Sequence, residues 1–365
     1  MNYLLLTLLA VFCSEARAEE PEEFLNLAGI VSYWRYPVLK YDVVTKDGYI
    51  IELYRIPHGI REGPRVNCSE KKPAILFNHG LLSSGSAYVF NRPDHFDEIA
   101  RYDVTASIDK ALEISGQSSL YFVGHSQGTE TGLMMLSQFP EYNLKIKKFF
   151  GWTPVYSSHG ALGIVSLVPH VFTMWKWLAD FYVKHYGSHD FCWPIPFLFK
   201  PIVKLLCTPN TPQFQWCKII STFVFGPSDF AVNMTRIPVY FAHSPEGTST
   251  MNMLHWAQNN FYGRVRYFDY GSAVENEKRY GTFEPPAYNY SKITAPLYLF
   301  WSENDWLSPN SEIHGKLKKV LQPGVLKKFF NIPSFNHIDF AVSLRAPELV
   351  YKPMLNIIMA EEQLC

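Results

Sequence analysis

The stretch "FVGHSQGTETG", residues 122–132, sets a serine between two glycines in the pattern G-x-S-x-G. An apolar run, "SLYFVGH" (119–125), leads into it, and a helical pattern, "QGTETGLMMLSQF" (127–139), leads out. A strand that turns sharply into a helix strains the backbone at the serine and lifts its Oγ clear of the sheet. Gly124 and Gly128 are small where strand and helix backbones pass close together. A hydroxyl held in this way can attack a carbonyl carbon, provided a base takes its proton and an acid orients the base. In this setting the acid and then the histidine follow the serine along the chain. "PLYLFWSENDWLSP" supplies Asp305 just past a late strand, with Glu303 as a rival nearer that strand. "NIPSFNHIDF" supplies His337 on the loop after the next strand, and Asp339 beyond it reads as a helix start. His79 and His125 lie near the serine in sequence but precede it, and His125 is expected to point away from Oγ. The developing oxyanion needs N–H donors, for which Gln127 follows the serine and Leu81 stands in "HGLL" after an earlier strand.

These residues need a scaffold that brings together positions up to 256 residues apart, and the apolar pattern supplies one. "YDVVTKDGYIIELYRI" (41–56) predicts a β-hairpin turning at Lys46-Asp47-Gly48. "PAILFNHG" (73–80) and the run before Ser126 predict buried strands, and "IKKFFGWTPV" (146–155), "APLYLFW" (295–301) and "LKKFFNI" (326–332) predict further strands. Residues 96–114, 127–139 and the tail from Phe340 predict helices. Strands alternating with helices define an α/β fold with a mostly parallel central sheet covered on both faces. The pattern breaks between Ser157 and about Tyr290, a part rich in Trp, Phe, Pro and Cys. It is expected to be a helical insertion over the C-terminal edge of the sheet. The division is then 19–156 and 291–365 as the two parts of the core, with 157–290 as the cap. Charges are sparse in 161–182 and 192–207, which fits packing on the core or an apolar face turned to lipid.

The chain has 365 residues, 47% hydrophobic and 18% charged, with 33 basic and 33 acidic side chains. That composition is globular, and no basic run points to nucleic acid. The start, "MNYLLLTLLAVFCSEARAEE", reads as a secretory signal peptide over 1–18, with Ala16-Arg17-Ala18 as the cleavage pattern. No later run is long and apolar enough to span a bilayer. Cleavage would leave five cysteines, Cys68, Cys192, Cys207, Cys217 and Cys365, an odd number whose spacing suits no metal. N-x-S/T sequons at Asn67, Asn233 and Asn289 agree with a secretory route, and hence with a secreted or lysosomal protein.

With these residues in place, the chain resembles the acid lipase family, which includes gastric and lysosomal acid lipases. The resemblance is carried by "YWRYPVLKYDVVTKDGYIIELYRIPHG", "FNHGLLSS", "DEIARYDVTASIDKAL", "YFVGHSQGT", "HSPEGTSTMNMLHWAQ", "EPPAYNYSKITAPLYLFWSENDWL" and "FNHIDF", spread in order over about residues 25–360. It implies an α/β-hydrolase core, a cap with a mobile lid, and hydrolysis of triacylglycerols or cholesteryl esters at a lipid–water interface without a cofactor. It places Ser126, Asp305 and His337 on the family's triad and Leu81 and Gln127 on its oxyanion positions. It also implies a cap disulfide, for which Cys207 and Cys217 stand in the right place.

The chain departs from the family at one point. Where the family carries the rest of a helix, a strand and a glycine- and arginine-rich loop, "NRPD" runs almost directly into "HFDEIARYD". Roughly forty residues are absent, with the junction near Asp94. In this fold the lost strand lies between the hairpin and "PAILFN", so one core strand is missing. Either the flanking strands pair directly or an edge is left open. Two functions follow as expectations. One is an active lipase working through a Ser-His-Asp acyl-enzyme. The alternative is a lipase-like lipid-binding protein without turnover, or an inactive product of a skipped exon or faulty gene model.

Overall fold

The computed structural model describes residues 21–59, 72–84, 98–167, 190–191, 206–208 and 210–362. The signal-peptide segment, Asn67, the junction at Asp94 and most of 168–205 lie outside them. Strands β1 (Leu39–Val44) and β2 (Ile50–Arg55) form the expected hairpin, with Val44 opposite Ile50. Its turn closes through Gly48 N–H to Thr45 O at 3.0 Å, and Gly48 takes a φ of 94° that a side chain would oppose. Before the hairpin, helix α1 (Leu27–Tyr33) begins at Asn26, whose side chain accepts from Gly29 N–H.

The core is a five-stranded parallel sheet in the order β3 (Ile75–Asn78), β4 (Leu120–His125), β5 (Ile146–Trp152), β8 (Leu297–Trp301), β9 (Leu326–Asn331). Two short strands, β6 (Asp190–Phe191) and β7 (Thr248–Ser249), pair with each other in a separate sheet. Side chains alternate between the two faces of the sheet, as strand geometry requires. Leu120, Phe122, Phe149, Leu297 and Leu299 enter one core cluster, while Tyr121, Val123, Phe150 and Phe300 enter the other. The first cluster is covered by α2 (Val104–Ser115) and α3 (Gln127–Gln138) through Val104, Ile108, Leu133 and Leu136. The second is covered by the last turns of the chain through Val350, Met354 and Ile358. Residue α3 Gly132 is required by packing: a Cβ there would lie 2.6 Å from the Phe149 ring and 2.7 Å from that of Phe122.

The hairpin does not join this sheet. Among the described residues the five strands end at β3, and β1 and β2 form a separate two-stranded sheet. Of the two outcomes expected for the missing strand, direct pairing of the hairpin with β3 is not seen among the described residues. Phe77 on β3 is 38% exposed, an unusual value for a large apolar side chain in the strand next to a buried β4.

Between β5 and β8 most of the described elements are helices, including α4 (Phe214–Phe225) and α5 (Thr250–Tyr262). A disulfide joins Cys207 to Cys217 with Cα atoms 5.0 Å apart. Phe214, Ile237 and both half-cystines form a small separate core here. The last helix is α6 (Lys352–Glu362).

Candidate active site

The chain turns from β4 into α3 at Ser126, which holds φ 54° and ψ −119°. That is a costly conformation for a residue with a Cβ. It is held by Ser126 N–H donating to Trp152 O at 3.0 Å, and by Thr129 and Glu130 N–H groups donating back to Ser126 O. The turn works only with glycine on either side. A Cβ on Gly124 would lie 2.6 Å from the Gly128 carbonyl, and one on Gly128 would lie 2.0 Å from Asn78 O. Asn78, at the end of β3, also ties into α3 through Nδ2 to Thr131 Oγ1 at 3.0 Å.

Ser126 Oγ lies 2.7 Å from His337 Nε2. His337 Nδ1 lies 2.8 and 2.9 Å from the two carboxyl oxygens of Asp305. All three side chains are buried. Residues from three separate strand ends, β4, β8 and β9, thus converge on one hydrogen-bonded line. Asp305 is fixed by the N–H groups of Leu307 and Ser308, each 3.0 Å from Oδ1. The C-terminus of α4 braces both loops: Phe225 O accepts from Trp306 N–H and from His337 N–H, each at 3.3 Å. Gly226 follows with φ 104°, and a Cβ there would lie 1.9 Å from Asn304 O. Neither Phe225 nor Gly226 is marked in the sequence, because the contact joins an insertion helix to loops more than 75 residues away.

The rival residues stand apart from this line. Glu303 is exposed and accepts from Asn331 Nδ2 at 3.2 Å. Asp339 opens the short helix Asp339–Val342 and accepts from Ser228 Oγ and Asn336 N–H. His79 Nδ1 lies 2.9 Å from Gly80 O, and burial pushes its pKa down. His125 donates through Nε2 to His337 O at 3.2 Å. Burial, and then the neighbouring His337, lower the His125 pKa to about 3, so this ring is neutral and supports the backbone of His337.

Gln127 is the first residue of α3, where a helix leaves its N–H without an intrahelical acceptor. Leu81 precedes Leu82, whose φ of 52° turns the chain after β3. Gly80 fits where a Cβ would come within 3.1 Å of Ser126 Cβ. Of the glycosylation candidates, Asn289 is exposed with Oδ1 accepting from Ser291, Asn233 is half-buried, and Asn67 lies outside the described residues. Among the described residues no group of three or more His, Cys, Asp or Glu is placed to hold a metal ion. No helix among them is long and apolar enough to cross a membrane.

A parallel sheet with helices on both faces and a strained serine where a central strand meets its helix define an α/β-hydrolase fold. The solved α/β hydrolase GrgF from Penicillium sp. sh18 superposes with a TM-score of 0.52 at 11% identity, over 90% of this chain and all of that one. The chain belongs to the acid lipase family. Lipase lipl-3 of Caenorhabditis elegans is 34% identical, with 97% of this chain and 96% of the relative covered. Human lysosomal acid lipase/cholesteryl ester hydrolase is 32% identical over 93% and 92%. Bovine gastric triacylglycerol lipase is 30% identical over 95% and 94%. The family model described as a partial alpha/beta-hydrolase lipase region matches residues 27–92 and so stops beside the junction at Asp94. The lipl-3 alignment spans 397 positions, whereas 97% of 365 residues is about 354, so roughly forty aligned positions hold no residue of this chain.

Proposed function

We propose that this protein is a lipase that hydrolyses carboxylic esters of neutral lipids, triacylglycerols or cholesteryl esters, through a covalent acyl-enzyme. The observation that carries this reading is the unbroken line from Ser126 Oγ through His337 to Asp305, at 2.7 and 2.8 Å, in a member of the acid lipase family. His337 Nε2 takes the Ser126 proton as Oγ attacks the ester carbonyl carbon. The carbonyl electron pair moves onto oxygen, where the N–H groups of Gln127 and Leu81 are the donors. Collapse of the tetrahedral intermediate breaks the bond to the alkoxy oxygen, and His337 returns the proton to the departing alcohol. Water, deprotonated by the same imidazole, then attacks the acyl-enzyme and releases the fatty acid and free Ser126. Asp305 holds His337 in the required tautomer and offsets the imidazolium charge.

The substrate class follows from relatives named for triacylglycerol and cholesteryl ester hydrolysis. Within this reading, residues 157–290 form the cap, the chain enters the secretory route by its first 18 residues, and the mature protein acts outside the cell or in the lysosome. Phosphonate labelling tests the chemistry. A p-nitrophenyl phosphonate should modify Ser126 alone, and Ser126→Ala should lose both labelling and ester hydrolysis. Labelling of another serine, or an unchanged rate in Ser126→Ala, refutes it.

A further inference from the structure

The motif "HSPEGTSTMNMLHWAQ" (243–258) lies more than 100 residues beyond Ser126 and supplies none of the reacting groups above. It nevertheless reaches the site on both sides. Glu246 N–H donates to Leu82 O at 2.9 Å. Trp256 Nε1 donates to Gln127 Oε1 at 3.0 Å, and Asn252 Nδ2 donates to the same oxygen at 3.3 Å. Leu82 is the residue after one oxyanion position, and Gln127 is the other.

The segment is built to hold still. Ser249 caps α5 by accepting from Asn252 N–H at 3.0 Å, and Asn252 Nδ2 is steadied by Thr248 Oγ1 at 2.7 Å. Asn252 and Trp256 are four residues apart on α5 and so share one helical face. One turn on, His255 Nε2 lies 2.7 Å from Arg266 O, and Gln258 accepts from Asp269 N–H at 2.8 Å. Gln127 and Asn252 are both buried, so water does not compete for the shared oxygen. Holding the Gln127 side chain at its tip restrains the peptide unit that bears its N–H, while holding Leu82 O fixes the turn that presents the N–H of Leu81.

We infer that residues 246–256 form a splint across the oxyanion hole, with Trp256 and Asn252 as positioning residues that act through the Gln127 side chain. The inference rests on the catalytic reading proposed above. Donors aimed at developing charge contribute to rate only when fixed in place before the reaction, and deleting one outright costs about 10²–10³ in kcat. Loosening one costs part of that.

The test uses the secreted full-length protein, a soluble short-chain ester and a trifluoromethyl ketone, whose hemiketal oxyanion occupies the same donors. Trp256→Phe keeps an aromatic ring at this position and removes the indole N–H. It should lower kcat by about tenfold, leave KM within about twofold, and weaken the ketone by a factor like that in kcat. The melting temperature should not move with these changes. Adding Trp256→Phe to Gln127→Met should cost nothing beyond Gln127→Met alone, because the two act through one contact. If Trp256→Phe does not fold, Gln127→Met read by the same kcat, KM and ketone measurements decides the matter from the other side of the bond. An inactive Ser126→Ala beside a fully active Trp256→Phe overturns the splint alone, as do losses that multiply in the double variant or fall on KM only. An unchanged rate in Ser126→Ala overturns the catalytic reading, and the splint falls with it.

Discussion

Glu130 lies one turn beyond Ser126 on α3, wholly buried, and among the described residues neither carboxyl oxygen has a hydrogen-bond partner. The hydroxyl of Tyr290 is likewise buried without one. Glu312, whose charge acts on Glu130, is itself held by Lys316 at 2.7 Å and by Ser157. Burial, and then the Glu312 charge, push the Glu130 pKa well above the ordinary glutamate value of 4.5. In the unfolded chain Glu130 ionises near that ordinary value, so above it the unfolded state has released a proton that the folded state retains. Stability from this site is therefore complete below about pH 4.5 and is lost as pH rises toward the folded pKa. Glu130→Met keeps the length of the side chain and removes the carboxyl. Even when neutral, an unpartnered buried polar group costs about 1–3 kcal/mol. With an unfolding entropy of about 2.1 cal/mol/K per residue, a protein of this size gains about 1.3 °C per kcal/mol. Thermal unfolding should show Glu130→Met melting about 1–4 °C above wild type at pH 4, and by a wider margin at pH 7.5. Equal melting temperatures at both pH values, or a margin that narrows as pH rises, would refute this account of the site.

Four further outcomes follow. Asp305→Asn should lower kcat by about 10⁴ with little change in the fold, since it leaves His337 in the wrong tautomer, and a steady-state rate on a soluble ester reads it. Gly128→Ala should prevent the turn at Ser126 from forming, because its Cβ would sit 2.0 Å from Asn78 O; expression as soluble, protease-resistant protein would contradict that. Cys217→Ser should cost about 3 kcal/mol by opening the loop to Cys207, measured as a fall in denaturation midpoint. Restoring the family's segment after Asp94 should raise the melting temperature and the esterase rate. Covering the 38% exposed Phe77 alone, about 75 Å², contributes about 2 kcal/mol, and equal stability and rate in the two forms would refute the expectation.

Much of this architecture is legible in the sequence because it is local. Strand β4 from Leu120 to His125 is an uninterrupted apolar run and matches the predicted run at 119–125, while β5 and β9 keep a recognisable apolar pattern around Lys147-Lys148 and Lys327-Lys328. The convergence of Ser126, Asp305 and His337 is legible for a different reason: each sits one loop beyond a strand of a parallel sheet, and such a sheet gathers its strand ends on one side. What the sequence hides is contact between distant segments. Nothing in "NMLHW" says that Trp256 reaches Gln127, and nothing around Phe225 says that its carbonyl braces two loops. Glu130 reads as an ordinary polar residue at a helix start, and only burial shows that it lacks a partner.

The position of the missing strand explains how a complete hydrogen-bonded line survives its loss. Ser126, Asp305 and His337 hang from β4, β8 and β9, and β4 is flanked on both sides by β3 and β5. Among the described residues the edge of the sheet lies one strand further out, on β3. The Leu81 turn follows directly from that strand. Here the protein holds β3 from within: Asn78 Nδ2 bonds to Thr131 on α3, and Glu246 N–H holds Leu82 O. Loosening of the edge should therefore reach the proposed chemistry through the oxyanion donor at Leu81 before it reaches the Ser126–His337 contact. A chain of this length should accordingly react with a phosphonate at Ser126 while turning over esters more slowly than a relative with the strand in place. The splint at 246–256 limits how much slower, because it ties the Leu81 side of the site to the Gln127 side through Leu82 O and Gln127 Oε1.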